Sequence, residues 1–414
     1  MHQSKFEALD RRGFLLTAFG TGAALRLAPG ALFADDELTV RLPFENGERP
    51  LVQYPQKRRL IRHTSRPPQL ETPFEVFNEG LLTPNDAFFV RYHLTSSPPP
   101  AMMLGADKFR LEIKGSAGKP MSYSLAELQQ AFPSTEVVAV NQCSGNSRGF
   151  FNPRVPGGQL GNGAMGCARW KGVRLADVLQ AAEPKNEARQ VLFNGLDRPI
   201  LPASPDFIKA LDLDAALAPE PILAWEMNGE SLPWLNGYPL RLVVPGHYGT
   251  YWVKHLNEIT LVDQTYQGFY MNPAYRIPDD PCAHVEPGTT PKKTVPIQRL
   301  NVRSFITSLS GGTAVKKGEK LRVRGIAFDG GSGIDEVLFS SDLRQGWQVA
   351  RLGENLGKFA FREWTIDWVP ERGGLYELRV KATNRLGQSQ PLEPLWNPSG
   401  YMRNVVESVA VQVV

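Results

Sequence analysis

The sequence predicts two domains of different class, an α+β domain over residues 35–290 and an all-β sandwich over residues 291–414. Three observations carry this. At 414 residues the chain is too long for one small core. Its first part mixes short β-branched runs, such as Thr135-Glu136-Val137-Val138-Ala139-Val140 and Gln190-Val191-Leu192-Phe193-Asn194, with short helical patterns. Beyond the Pro- and Lys-rich stretch 287–296 the pattern changes: Leu321-Arg322-Val323-Arg324, Trp364-Thr365-Ile366-Asp367-Trp368 and Tyr376-Glu377-Leu378-Arg379-Val380 alternate apolar with polar side chains. Gly-rich turns such as Asp329-Gly330-Gly331-Ser332-Gly333 separate them, the signature of an antiparallel sandwich.

In chain order, residues 1–34 carry Asp10-Arg11-Arg12-Gly13-Phe14 ahead of a mildly apolar segment and Ala31-Leu32-Phe33-Ala34. The segment falls short of the roughly 20 residues a spanning helix needs, and Arg26 interrupts it, so a stable membrane span is the weaker reading. Residues 36–82 are rich in Pro and Arg with little periodicity and read as an irregular wrap. An aromatic strand follows in 85–94, ending in Arg91 and His93. Ser124-Leu125-Ala126-Glu127 is a capping box opening a helix, and residues 173–182 show a second helical spacing. Asn228-Gly229 between apolar runs marks a hairpin.

Composition is that of an ordinary globular protein, 42% hydrophobic and 21% charged. The net charge of +4 falls to +2 without residues 1–34, and no basic block with interleaved aromatics appears, which argues against nucleic-acid binding. Three cysteines, Cys143, Cys167 and Cys282, are too few for a disulfide framework or zinc site. Cys167 and Cys282 are read as free thiols, with a disulfide between them as the alternative.

Cys143 is the residue around which the chemistry gathers. A strand delivers it into Ser144-Gly145-Asn146-Ser147, turn formers whose amides are expected to curl toward an anionic ligand, and Arg148 places a permanent cation nearby. A neighbouring cation favours thiolate, the form that ligates metal or attacks a substrate. The plainer reading of a lone cysteine is a small buried hydrophobe.

Cys143-Ser144-Gly145-Asn146-Ser147-Arg148, Gly161-Asn162-Gly163-Ala164-Met165-Gly166 and Ala168-Arg169-Trp170-Lys171-Gly172 together resemble the cofactor segment of the sulfite oxidase family. The resemblance implies a molybdenum-molybdopterin cofactor with Cys143 as the protein's metal ligand. It implies Arg91, Arg148 and Tyr266, the last in Tyr266-Gln267-Gly268-Phe269, as catalytic residues, and His93, Asp197, Asn236, Arg241 and Lys254 as cofactor contacts. Asn236 stands where a histidine is expected, and Leu160 where many relatives carry a tryptophan lining the oxyanion pocket. Residues 1–34 resemble a twin-arginine leader, which implies export to the periplasm already folded. The sandwich, ending in Trp396-Asn397-Pro398-Ser399-Gly400-Tyr401, resembles the family's immunoglobulin-like dimerisation domain, so a homodimer or a complex with a cytochrome subunit is expected. The implied reaction is oxidation of sulfite. Because the chain holds neither a haem motif nor a flavin motif, electrons are expected to pass to a separate c-type cytochrome. The alternatives are a sulfoxide reductase of the same fold, or a non-enzymatic exported binding protein.

Overall fold

The computed structural model describes residues 38–96, 99, 105 and 108–414. The segment read as an export leader lies outside the described residues. Among those described, no helix is long and apolar enough to cross a membrane.

Residues 39–91 correct the expected irregular wrap. They form a five-stranded antiparallel meander in chain order: Thr39–Arg41, Glu48–Gln53, Arg59–Ser65, Pro68–Glu71 and Val90–Arg91. Pro at a strand's first position, as at Pro68, costs no ladder donor, and the arginines lie along half-exposed strands, so composition alone concealed the sheet. The expected strand of residues 85–94 shrinks to Val90–Arg91 at its edge.

Two further sheets build the first domain. One runs Lys209–Asp212, Gln190–Gly195, Leu256–Val262, Leu111–Gly115, Met121–Tyr123, with its Leu256–Val262 and Leu111–Gly115 strands parallel. The other runs Glu230–Ser231, Ile222–Met227, Met165–Arg174, Ser134–Gln142, and Arg241–Val243 also pairs with Ile222–Met227. The Ser134–Gln142 strand alternates at its start and is buried on both faces from Val138 onward, so it drives the chain into the core just before Cys143. Asn228 and Gly229 both take positive φ, 54° and 81°, the twist a two-residue hairpin requires. The capping box is present as read: Ser124 Oγ accepts from the Glu127 amide at 3.1 Å, and the Ser124 amide donates to Glu127 Oε2 at 2.7 Å. The second helix is Leu175–Ala181, two residues later than its periodicity suggested, because Val173 and Arg174 still pair with Ile222–Met227.

The sandwich has the expected two sheets, Arg303–Ile306, Leu321–Phe328, Arg362–Trp368, Arg351–Asn355 against Ala314–Val315, Glu407–Val413, Gly374–Asn384, Ile334–Ser340, Gln348–Val349. Trp364, Trp368 and Val323 of one face pack on Phe339, Leu378, Val380 and Val411 of the other. The boundary between the halves is less sharp than composition implies. Within the presumed linker, Thr294–Pro296 pairs with Arg276–Pro278, and Phe305, Phe328, Phe359 and Phe361 of the sandwich belong to the same buried cluster as Val140, Cys143 and Trp170.

Candidate functional site

Cys143 sits at the end of the Ser134–Gln142 strand, 9% exposed, its amide bonded to Ala164 O at 2.9 Å. The loop after it is closed by its own polar groups: Ser147, at φ 68°, donates its amide to Gly161 O and its hydroxyl to Asn162 Oδ1, each at 2.6 Å, while Asn146 Oδ1 accepts from the Ala164 amide at 2.9 Å. Of the four turn residues expected to turn amides toward a ligand, Asn146 and Ser147 give theirs to the Cys143 and Gly161 carbonyls instead. Two distant elements clamp this loop. From the N-terminal sheet, Glu71 accepts from the Gly161 and Gly163 amides at 2.9 and 2.8 Å and from His63 Nε2 at 2.7 Å. A Cβ at position 163 would meet the Thr72 main-chain oxygen at 1.9 Å, so only glycine lets the Glu71–Thr72 segment approach this closely. From the sandwich, fully buried Arg303 donates to Ser147 Oγ at 3.0 Å and to Glu407 at 2.6 Å.

Cys143 lines a cleft of about 650 Å³, its open mouth included, and the same cleft gathers Arg91, His93, Asp197, Asn236, Arg241 and Lys254. Six residues read as cofactor or substrate contacts therefore share one space with the thiol. Arg241 is buried between the rings of Trp170 and Trp252, 4.9 and 5.8 Å from their centroids, and donates to Asn236 O and Trp252 O. Burial lowers its pKa to about 9. Lys254 lies 4.0 Å above the Tyr92 ring and donates to Arg91 O at 2.6 Å; burial, then the neighbouring Arg241, lowers it to about 7, with Asp197 opposing. His93 stacks on Phe207 at 3.9 Å, and burial together with the fields of Arg91, Lys254 and Lys209 holds it well below its ordinary value, hence neutral.

Two expected residues lie elsewhere. Tyr266 does not line the cleft. Its segment folds the ring back over Gly268, where an added Cβ would meet the Tyr266 hydroxyl at 2.0 Å, and burial, then the field of Asp206, raises its pKa. Arg148 is turned away from the cleft: it donates to Ser399 O at 3.2 Å and stands 5.0 Å over the Tyr401 ring. Leu160 is buried at 4% and packs in the core instead of lining the cleft.

Tyr275, and not Tyr266, stands on the cleft wall. Its hydroxyl is bonded to His93 Nε2, and its pKa is raised by burial, with Arg91 opposing and Tyr401 and Cys143 adding to the rise. Lys209, buried beneath it, lies 5.0 Å from its ring and 4.7 Å from that of Tyr251, and burial lowers its pKa to about 7. No local motif announces either residue; the only signal is a tyrosine and a lysine placed within otherwise apolar strands and turns. Cys167 and Cys282 are free, as read, with Cys167 buried and pushed up to about 12, and Cys282 exposed; Cys143 likewise forms no disulfide.

Four buried polar atoms on the cleft wall have no partner among the described residues: Asn141 Oδ1, Ser144 Oγ, Thr250 Oγ1 and Arg241 Nε. Gly249 completes the wall at a point where a side chain would meet Asn141 Oδ1 at 2.2 Å. Unpaired buried groups are costly, and several on one concave surface mark a site shaped for a polar ligand. Among the described residues no cluster of three His, Cys, Asp or Glu exists, so the protein offers a metal here one thiolate and little else.

Residues 97–270 match the family model of the oxidoreductase molybdopterin binding domain, and residues 294–414 that of the Mo-co oxidoreductase dimerisation domain. The chain is 34% identical to the mitochondrial sulfite oxidase of Rattus norvegicus across 93% of its own length and 71% of that protein. It is 35% identical to the sulfite oxidase of Gallus gallus across 82% and 75%. Its fold is similar to that of the sulfane dehydrogenase SoxCD from Paracoccus pantotrophus, with a TM-score of 0.71 at 23% identity, over 98% of this chain and 97% of that one.

Proposed function

Since the chain belongs to the sulfite oxidase family of molybdopterin-dependent oxidoreductases, we propose that it oxidises sulfite to sulfate. The observation that carries this is the meeting, in one cleft, of a single thiol with Arg91, Arg241 and Lys254. The cleft fits the cofactor: its orphaned buried polar atoms ask for a polar ligand, and one soft thiolate suits a metal whose other ligands come from outside the protein.

In this reading Cys143 holds the metal, and Arg241, Lys254, Asn236 and Asp197 hold the pterin. When bound, the molybdenum centre supplies oxygen-atom transfer to sulfur and takes up the two electrons released. The chain's own residues do the rest. Arg91 draws the sulfite oxyanion in and orients it, since a guanidinium always carries charge and presents paired donors. Neutral His93 and the Tyr275 hydroxyl form a hydrogen-bonded pair at the cleft wall, and this pair holds or passes the proton of a substrate oxygen. Phe207 and Trp252 keep the walls dry, which strengthens each polar contact inside. The sandwich braces this site through Arg303, which favours the sulfite reading over the reductase, whose resemblance is to the first domain alone.

We further propose an immunoglobulin-like sandwich that dimerises the enzyme, or pairs it with a cytochrome subunit, transfer of electrons to a c-type cytochrome, and twin-arginine export to the periplasm. Steady-state turnover of sulfite with cytochrome c, on protein made with a working cofactor pathway, tests the central proposal. A molybdenum-loaded enzyme that leaves sulfite untouched yet reduces a sulfoxide would overturn it.

A further inference from the structure

Asn236 stands on the cleft wall, and directly behind it lies Lys57, 3% exposed. Lys57 Nζ donates to Asn236 Oδ1 at 2.6 Å, to Asn85 O at 2.5 Å and to Phe88 O at 3.0 Å. All three ammonium hydrogens thus have an acceptor, and none of the three is a carboxylate. Asp86, the acid that acts on Lys57 through space, is paired with Arg58 at 2.9 Å. A buried cation with neutral acceptors only is costly to keep.

The orientation of Asn236 follows from this cation. An ammonium donates and never accepts, so the carboxamide must turn its oxygen toward Lys57 and its nitrogen the other way. One Nδ2 hydrogen goes to Phe89 O at 3.1 Å, and the second is left for the cleft. The Asn236 main-chain carbonyl accepts from Arg241 at 2.8 Å, and buried Arg241 and half-buried Lys254 line the same cleft, where Asp197 acts on Lys254. Beyond the bonds these groups make within the protein, Arg241 Nε and the second Asn236 Nδ2 hydrogen have no acceptor among the described residues, which suits an anionic group such as a phosphate.

We propose that Lys57 is a positioning residue for the phosphate end of the pterin cofactor: it fixes the Asn236 carboxamide with its N–H toward the anion. The proposal rests on the cofactor reading given above. It concerns a residue of the N-terminal sheet, at the turn before Arg59–Ser65, and not one of the cleft's own lining.

The test is the rate at which purified full-length enzyme releases pterin, followed by the fluorescence of the oxidised pterin in the filtrate and independent of turnover. Lys57→Met and Asn236→Leu should each speed release roughly tenfold, the loss of one charge-assisted contact. The double variant should release no faster than the faster single one, because Lys57 acts through Asn236. If the two effects multiply, or if Lys57→Met releases pterin at the wild-type rate, the proposal is overturned. Should Lys57→Met not fold, Lys57→Gln leaves the amide unlocked without emptying the space; faster release supports the proposal and an unchanged rate overturns it. A wild-type chain that carries no pterin would instead overturn the cofactor reading itself.

Discussion

Tyr275 and Tyr401 stack with ring centroids 5.4 Å apart and planes 6° from parallel, one ring lining the cleft and the other carried on the last loop of the sandwich. Arg148 lies 5.0 Å over the far ring, so the pile runs from the cleft through both tyrosines to a cation. Replacing Tyr401 by Ala removes the middle layer. A stacked aromatic and a cation–π contact each contribute about 1 kcal/mol, so KM for sulfite should rise about tenfold as Tyr275 loses its support. Molybdenum content should stay at the wild-type level. Unchanged kinetics in the loaded variant would show that the stack is packing alone.

Tyr275→Phe removes the hydroxyl bonded to His93 while keeping the ring. A lost hydrogen-bond donor at a reacting centre lowers kcat by about 10- to 100-fold. Tyr266→Phe, away from the cleft, should stay close to wild type. The reverse order of effects in steady-state assays would return the catalytic role to Tyr266.

Cys143→Ser should abolish sulfite oxidation while leaving most of the pterin bound, because Arg241, Lys254 and Asn236 are untouched and an alkoxide is a harder, poorer ligand for this metal. Pterin fluorescence and metal analysis on the same sample separate the two outcomes. Wild-type turnover at full molybdenum loading would sink the ligand assignment.

Lys57, Lys209 and Lys254 each have a pKa lowered by burial from 10.5 to about 7. Below pH 7 both the folded and the unfolded chain hold these protons, and the folded state bears the cost of three buried cations. Between pH 7 and 9 the unfolded chain holds more protons than the folded one, so stability of the cofactor-free protein should rise with pH across that window. Above pH 9 Cys167, raised from 9.0 to about 12, opposes the trend, since only the unfolded thiol then ionises. Calorimetry of the apo protein at pH 7, 8 and 9 should therefore give a rising Tm. The bound cofactor, by keeping Lys254 charged, should flatten the rise.

Leu160→Trp should destabilise rather than tighten substrate binding. Leu160 is 4% exposed within the main core, and enlarging a packed side chain costs about 1–3 kcal/mol. Denaturant unfolding reads the loss directly; a lower KM with unchanged stability would place the residue back at the pocket.

Most of the residues that line the cleft were legible through the family resemblance, because the motifs that carry it lie in contiguous runs. The strand into Cys143, the Gly161–Gly163 stretch and the Arg241 and Lys254 positions could be read without knowing what crosses from elsewhere. What could not be read depends on long-range approach. Tyr266 and Tyr275 sit nine positions apart in one turn-rich segment, and only the packing of His93 against Tyr275 decides which hydroxyl reaches the cleft. Arg148 follows Cys143 closely in sequence, yet Ser399 and Tyr401 from the other half of the chain draw its guanidinium away. The sheet of residues 39–91 was missed because Pro and Arg are counted as breakers and surface charges, whereas here they sit at strand starts and on half-exposed faces.

The Glu71 clamp has a consequence for how the site reveals itself to solvent. The amides of Gly161 and Gly163 belong to no strand ladder; their protection from hydrogen exchange depends on one carboxylate 90 and 92 residues earlier in the chain. They will therefore exchange at the rate at which that single bridge opens, faster than the strand amides on either side and without global unfolding. Two backbone protons outside the cleft thus act as clocks for the loop that follows Cys143.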